Sequence, residues 1–324
     1  MLKKILTAGL ALVLAFSTGC VNKTEVKKTA SYEKDVLSSL VSDYRQEGVL
    51  TGMSADLCVL PKDGFFDETL LESEYAGLFC ETDREVLYAK KAAERIYPAS
   101  LTKCMTALLV LESVPDLSQK VTVGEELMEG LSDSSSLAGL IPGASYTWKD
   151  LLFALLVPSG NDAANTLAFH VSGSVSAFVD RMNEKALHLG MVNTHYVNPH
   201  GLHDENHYTT VYDMYLLLNA LKDYPVFQEC SGQMRVSITA EIPGEEPSVQ
   251  SFVSGNSYLR GYTVPPEGLH IVAAKTGYTA QAGRCLVLMV LDDEGKRYFA
   301  EICRAPSYEA LYQQMNQLLS IIGQ

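Results

Sequence analysis

The chain has 324 residues and a formal net charge of −14. So acidic a surface argues against nucleic-acid binding, which needs clusters of Lys and Arg to displace counterions from phosphate. Past the N-terminus no stretch approaches eighteen consecutive apolar residues, so no later membrane-spanning helix is expected.

Lys3 and Lys4 form a short basic region, and Ile5 to Phe16 an apolar core too short to span a bilayer and remain there. Ser17-Thr18-Gly19-Cys20 follows and resembles a bacterial lipobox, in which the cysteine is acylated and becomes the first mature residue. Leu usually stands three places before that cysteine; Ser17 stands there here. An ordinary signal peptide over 1–19 is the alternative, and both readings export the protein. Cleavage before Cys20 removes two lysines and no acid, taking the charge from −14 to −16. One acyl chain anchors weakly, so stable membrane attachment through this N-terminal lipid needs a second. Residues 20–32 are polar and read as a lipid-anchored tether. The rest, 33–324, is long enough for one large domain or two interlocked lobes.

In chain order, Glu33–Glu47 carries Val36, Leu37, Leu40, Val41 and Tyr44 at helical spacing. Strands are expected at Ala55–Leu60, Ala76–Glu81 and Glu85–Lys90. The stretch from about 101 to 262 reads as an inserted all-helical lobe, with periodic segments at Lys149–Val157, Ala163–His170, Ser176–Leu189 and Tyr212–Leu221. Further strands follow at Leu269–Thr276, Cys285–Leu291 and Arg297–Cys303, then a helix over Ser307–Ile322. Strands flanking a helical block imply an α+β fold: a mostly antiparallel sheet covered by the terminal helices, with a cleft between lobes.

The last two strands read as a hairpin around Asp293-Glu294-Gly295, with Gly295 at the left-handed third position of a three-residue loop. That register puts Cys285 opposite Cys303. A disulfide is one reading. Two free buried thiols is the other, because a single bulge would separate them. No C-x-x-C pair suggests zinc or a redox centre.

Three short motifs carry chemistry. In Tyr97-Pro98-Ala99-Ser100-Leu101-Thr102-Lys103, Ser100 and Lys103 stand at i and i+3 at the entrance of a helix, on one face. A serine hydroxyl needs a base, and a lysine serves only when neutral. Burial and a second cation would each lower its pKa. Ser159-Gly160-Asn161 follows a helix end; its hydroxyl could relay a proton, and its amide could hold both the lysine and a substrate carbonyl. Lys275-Thr276-Gly277 ends an apolar run and offers a cation and a hydroxyl to a carboxylate, with Gly277 allowing close backbone approach. Ser31-x-x-Lys34 and Ser254-Gly255-Asn256 repeat two of these patterns in settings that do not suit them: a tether and an irregular loop.

Together, in this order, the motifs resemble those of class A β-lactamases and penicillin-binding proteins. The chain is most similar in pattern to low-molecular-weight penicillin-binding proteins of the D-alanyl-D-alanine carboxypeptidase type. Asn198-Pro199-His200-Gly201-Leu202, Tyr278-Thr279 and Ala282-Gly283 extend the likeness, which covers about 76 to 304. The resemblance implies a β-lactamase/transpeptidase-like fold and Ser100 as the acylated nucleophile, with Lys103 as its base. It assigns Ser159 and Asn161 to proton relay and substrate positioning, and Lys275 and Thr276 to the terminal carboxylate. The N–H groups of Ser100 and Tyr278 would form an oxyanion hole. The implied substrate is a peptidoglycan stem peptide ending in D-Ala-D-Ala, with β-lactams as covalent inhibitors and no cofactor. The segment from about Ser54 to Glu74 precedes the usual family start. The C-terminal β domain and anchor helix of many relatives do not follow the catalytic region, a gap that a lipid on Cys20 would fill.

Other readings have less behind them. His200, His203 and His207 lack the H-E-x-x-H arrangement of a metal site and read as a loop. Asp162 reads as a helix-start residue and Cys104 as core. Class A β-lactamases deacylate through a glutamate in an E-x-x-L-N segment, which is missing between Asn161 and Lys275. A D,D-endopeptidase shares every motif. A non-catalytic sensor has no need of an activated nucleophile.

Overall fold

The computed structural model describes residues 56–61, 66, 69–131 and 135–323. The leader, Cys20, the tether and the helix expected at Glu33–Glu47 lie outside them. The compact unit that carries the motifs runs from Leu57 to Gln324.

Its sheet is built from β1 (Tyr75–Cys80), β2 (Glu85–Lys90), β7 (Leu269–Thr279), β8 (Gly283–Asp292) and β9 (Arg297–Ala305). The order is β2-β1-β9-β8-β7, and every neighbouring pair is antiparallel. Because side chains alternate across a strand, each strand feeds two cores. Leu286, Leu288 and Val290 of β8 and Ala300 and Ile302 of β9 face α7 (Tyr308–Leu319), where Leu311, Met315, Leu318 and Leu319 meet them. Val287, Met289 and Phe299 point the other way, into the larger core shared with the helices. Ser307 caps α7 by accepting the Ala310 N–H at 3.0 Å.

The other face of the sheet meets a lobe of α1 (Lys103–Ser113), α2 (Trp148–Leu156), α3 (Asn161–Ser172), α4 (Val175–His188), α5 (Val211–Leu221) and α6 (Pro225–Ser231). Every residue of α1 from Lys103 to Val110 is buried. A helix apolar on all sides belongs at the centre of a core, and α1 is the post around which the lobe packs. The lobe also carries two small antiparallel ribbons, β3 (Lys120–Thr122) with β4 (Ser145–Thr147), and β5 (Arg235–Ala240) with β6 (Ser248–Val253). It is therefore helical with ribbon edges, where the sequence suggested helices alone.

The strand expected at Ala55–Leu60 does not form over its described residues. Tyrosines hold that segment in place of strand pairing. Cys58 donates its N–H to Tyr215 Oη and accepts from Tyr212 Oη through its carbonyl, both at 2.8 Å. Further on, Ser73 N–H donates to Gln314 Oε1 at 2.7 Å, tying the run into β1 to α7.

The β8–β9 turn is the expected one: Asp292 and Lys296 close it, and Gly295 has φ +82°. Cys285 and Cys303 are both free and buried, and the ladder shifts register between Arg284 and Leu286. The bulge that would keep the thiols unbonded is thus present.

Candidate active site

Chain entry into α1 is a single 3-10 turn, Ala99–Thr102, which lifts Ser100 to the cleft and drops Lys103 into the core. Ala99 holds φ +48°, a left-handed conformation that costs a non-glycine residue roughly 1–3 kcal/mol. Its surroundings leave it no choice. Thr102 Oγ1 donates to Ala99 O at 2.8 Å, and a Cβ on Gly201 would lie 1.8 Å from that oxygen. His207 completes the clamp. Its Nδ1 accepts from Val197 N–H at 3.1 Å, so Nε2 carries the proton and donates to Thr102 Oγ1 at 2.7 Å. Burial pushes this imidazole down to about 4, which keeps it in the neutral form the chain of bonds requires.

Lys103 is fully buried and has three partners: Ser100 Oγ at 3.1 Å, Asn161 Oδ1 at 2.7 Å and His200 O at 2.7 Å. Burial first, and then the charge of Lys275, hold its amine well below the usual lysine range. The geometry follows from counting hydrogens. A neutral amine has two N–H donors and one lone pair. Asn161 and His200 offer only acceptors and take both hydrogens, so the lone pair faces the Ser100 hydroxyl. With the single lone pair turned to Ser100, the amine has no acceptor left for the amide NH2, so Asn161 Oδ1 is fixed toward it and Nδ2 is turned away, free to donate elsewhere.

The second motif lies at the corner between α2 and α3. Ser159 is left-handed there at φ +64°, and its hydroxyl accepts from Lys275 Nζ at 3.0 Å. Lys275 also donates to Thr276 O at 2.8 Å. Burial lowers its amine to about 8. On edge strand β7, a Cβ at Gly277 would lie 3.0 Å from Pro98 O and 3.2 Å from Ser100 N. Glycine at that point lets the strand pass against the turn bearing Ser100, with the Tyr278 N–H next in line.

Ser100, Ser159, Asn161, Thr276, Gly277 and Tyr278 line one cleft of about 390 Å³. Lys103 and Lys275 are bonded to that lining from below. The sequence-predicted residues of the described region therefore converge, and Cys20 lies outside it. Asp162 has a larger part than a helix start. Its carboxylate accepts Ala138 N–H at 2.8 Å and Leu140 N–H at 3.0 Å, fixing the segment that follows Ser135 and Ser136 on the cleft wall. No local pattern announces a bond across 24 residues of chain. Ser254-Gly255-Asn256 instead turns the chain after β6: Asn256 Oδ1 accepts from Tyr258 N–H and Leu259 N–H. Cys104 is buried in the larger core. His203 packs edge-on against Tyr97, with ring centroids 4.7 Å apart, and His200 Nδ1 accepts Leu202 N–H at 3.2 Å. The histidines thus organise the loop that carries Gly201.

A family model described as D-alanyl-D-alanine carboxypeptidase matches residues 72–300. The chain belongs to that family. It is 33% identical over 246 residues to the D-alanyl-D-alanine carboxypeptidase DacF of Bacillus subtilis, covering 74% of this chain and 59% of the relative. Over 284 residues it is 33% identical to the D-alanyl-D-alanine endopeptidase of Pseudomonas aeruginosa, covering 83% and 86%. Among solved structures, the DD-transpeptidase of Streptomyces K15 aligns with a TM-score of 0.71 at 25% identity, covering 78% of this chain and 97% of that one. This member of the D-alanyl-D-alanine carboxypeptidase family thus has the β-lactamase/transpeptidase fold that its motif order implied, and spans under two thirds of the DacF length.

Proposed function

We propose that the protein is a serine D,D-carboxypeptidase that removes the terminal D-alanine from peptidoglycan stem peptides. The observation that carries this is the Lys103 amine: buried, beside a second cation, with two fixed acceptors and its remaining direction 3.1 Å from Ser100 Oγ. Lys103 takes the hydroxyl proton as Ser100 Oγ bonds to the carbonyl carbon of the penultimate D-alanine. The oxyanion sits against the N–H groups of Ser100 and Tyr278. Ser159, polarised by Lys275, passes its proton to the departing amine and takes in exchange the one that Lys103 holds, the C–N bond breaks, and D-alanine leaves. Asn161 Nδ2 donates to the substrate carbonyl upstream. Water then cleaves the ester on Ser100 and frees the shortened peptide. A penicillin enters the same first step and stays as an ester.

A peptidoglycan substrate places the protein outside the cytoplasmic membrane. Removal of 1–19 and lipidation at Cys20, with 20–32 as tether and 33–324 as catalytic domain, would hold it at the outer face of that membrane. The basic, apolar and small-residue run before Cys20 supports this reading.

The test pairs D-alanine release from a peptide ending in Lys-D-Ala-D-Ala with hydrolysis of a chromogenic cephalosporin. Rapid release beside slow cephalosporin turnover is expected. Fast cephalosporin turnover without D-alanine would make the protein a β-lactamase. Cleavage of cross-linked muropeptides in place of D-alanine release would favour the endopeptidase reading, to which the Pseudomonas relative lends weight.

A further inference from the structure

We propose that a second hollow, beside the catalytic cleft, reads the residue that precedes D-Ala-D-Ala in the stem peptide. Arg95 takes a carboxylate there and Glu205 an ammonium. The preferred substrate therefore carries a diaminopimelic-type residue, whose side chain ends in both groups. This rests on the carboxypeptidase reading above. The hollow holds about 350 Å³ at the end of the sheet where β7 turns into β8. Its floor is apolar, made by Ile96, Ala282 and Cys303, all buried. The same two segments wall both hollows. The catalytic cleft takes Leu202 and Thr279, and the second hollow takes Glu205 and Gln281, slightly further along each segment.

The direction of the substrate leads there. In the proposed mechanism the free chain end lies at Thr276 and the scissile carbonyl at the N–H of Tyr278. The substrate thus runs antiparallel to β7, and each upstream residue advances about 3.3 Å toward the turn. The residue before D-Ala-D-Ala comes level with the end of β7, and a long side chain from it reaches past Gln281.

The charges that wait there are held in place. Arg95 lies over the ring of Tyr208, 4.0 Å from its centre, which orients the planar fork and leaves its N–H groups available. Ile96 exchanges backbone hydrogen bonds with Thr209 at 2.8 and 2.9 Å, locking the segment of Arg95 to the loop of Glu205. Glu205 stands in a turn closed by Asp204, whose carbonyl accepts His207 N–H at 3.0 Å and whose carboxylate accepts Asn206 N–H at 2.7 Å. Arg304, the other cation on the lining, is answered by Glu74 at 3.3 Å. Among the described residues neither Arg95 nor Glu205 forms an ion pair. A cation and a carboxylate that line one hollow without meeting suit a ligand that bears both charges. A lysine side chain would satisfy Glu205 alone.

The experiment measures kcat/KM for D-alanine release from three peptides that differ only in the residue before D-Ala-D-Ala: diaminopimelate, lysine and norleucine. Wild type is expected to prefer them in that order. Arg95→Gln should lower the diaminopimelate-over-lysine preference, and Glu205→Gln the lysine-over-norleucine preference, each about threefold to tenfold. Each preference is a ratio within one protein, so partial misfolding cannot imitate its loss. Calorimetric binding of the same peptides to Ser100→Ala reads the hollow without turnover. A protein indifferent to the three peptides in both assays, or preferences unchanged in the two variants, would overturn the assignment. No D-alanine release from any peptide by wild type, while Ser100→Ala still ranks them, would overturn the carboxypeptidase reading and uphold the hollow.

Discussion

In the proposed mechanism the two lysines of one buried site divide the chemistry between them because their surroundings differ. Lys103 has acceptors on two sides and a hydroxyl on the third. Its base function needs the neutral amine, so activity rises with pH as Lys103 loses its proton. The role proposed for Lys275 needs its charge, and burial lowers its amine to about 8. Above that pH its charge is lost and Ser159 is no longer polarised. The expected kcat/KM profile for D-alanine release is a bell with its alkaline limb near pH 8. A rate still level at pH 10 would contradict the division of roles. The Ser100–Lys103 pair was legible in the sequence because i, i+3 spacing is itself a geometric statement. Asp162 was not, because it acts across 24 residues of chain.

Segments around the motifs set the motif geometry. The loop from Asn198 to Gly201 fixes Ala99 from outside while presenting the His200 carbonyl to Lys103. Asn198 holds that loop by accepting Gly201 N–H at 2.6 Å and donating to Leu202 O at 2.9 Å. Gly201 has φ +90° and no room for a Cβ. Gly201→Ala is expected to destabilise the fold by about 3 kcal/mol or more, from backbone strain and overpacking. It should also slow acylation by penicillin; thermal melts and acylation rates check both, and a variant unchanged in each would remove the clamp. The long elements could be read from periodicity: β8, β9, α4 and α7 all fall where the pattern put them. Ribbon β3–β4 could not, because a three-residue strand has no room for a period of two. In β5 the signal is there, since Arg235, Ser237 and Thr239 alternate with Val236, Ile238 and Ala240, but it lies inside a stretch that otherwise reads as helical. The run at 56–60 is apolar enough for a strand, but Tyr212 and Tyr215 take up the backbone groups of Cys58.

Across the whole molecule, the site is the seam between two cores. One side of the sheet is closed by α7 and the other by the helical lobe, and the cleft opens where edge strand β7 passes the turn before α1 and the corner before α3. The strand–helices–strand order along the chain made this architecture legible, because such an order forces an inserted lobe and therefore a cleft. What the order could not convey is how dry the seam is. Two lysines buried within bonding reach of it become chemical groups instead of surface charges. In the proposed mechanism it is this burial of Lys103 that activates Ser100. The most direct measurement is mass spectrometry of wild type and Ser100→Ala after incubation with penicillin, with the labelled peptide located by digestion. One penicillin adduct is expected on the wild-type peptide containing Ser100 and none on the variant. An adduct that persists in Ser100→Ala, or sits on another residue in wild type, would remove Ser100 from the mechanism.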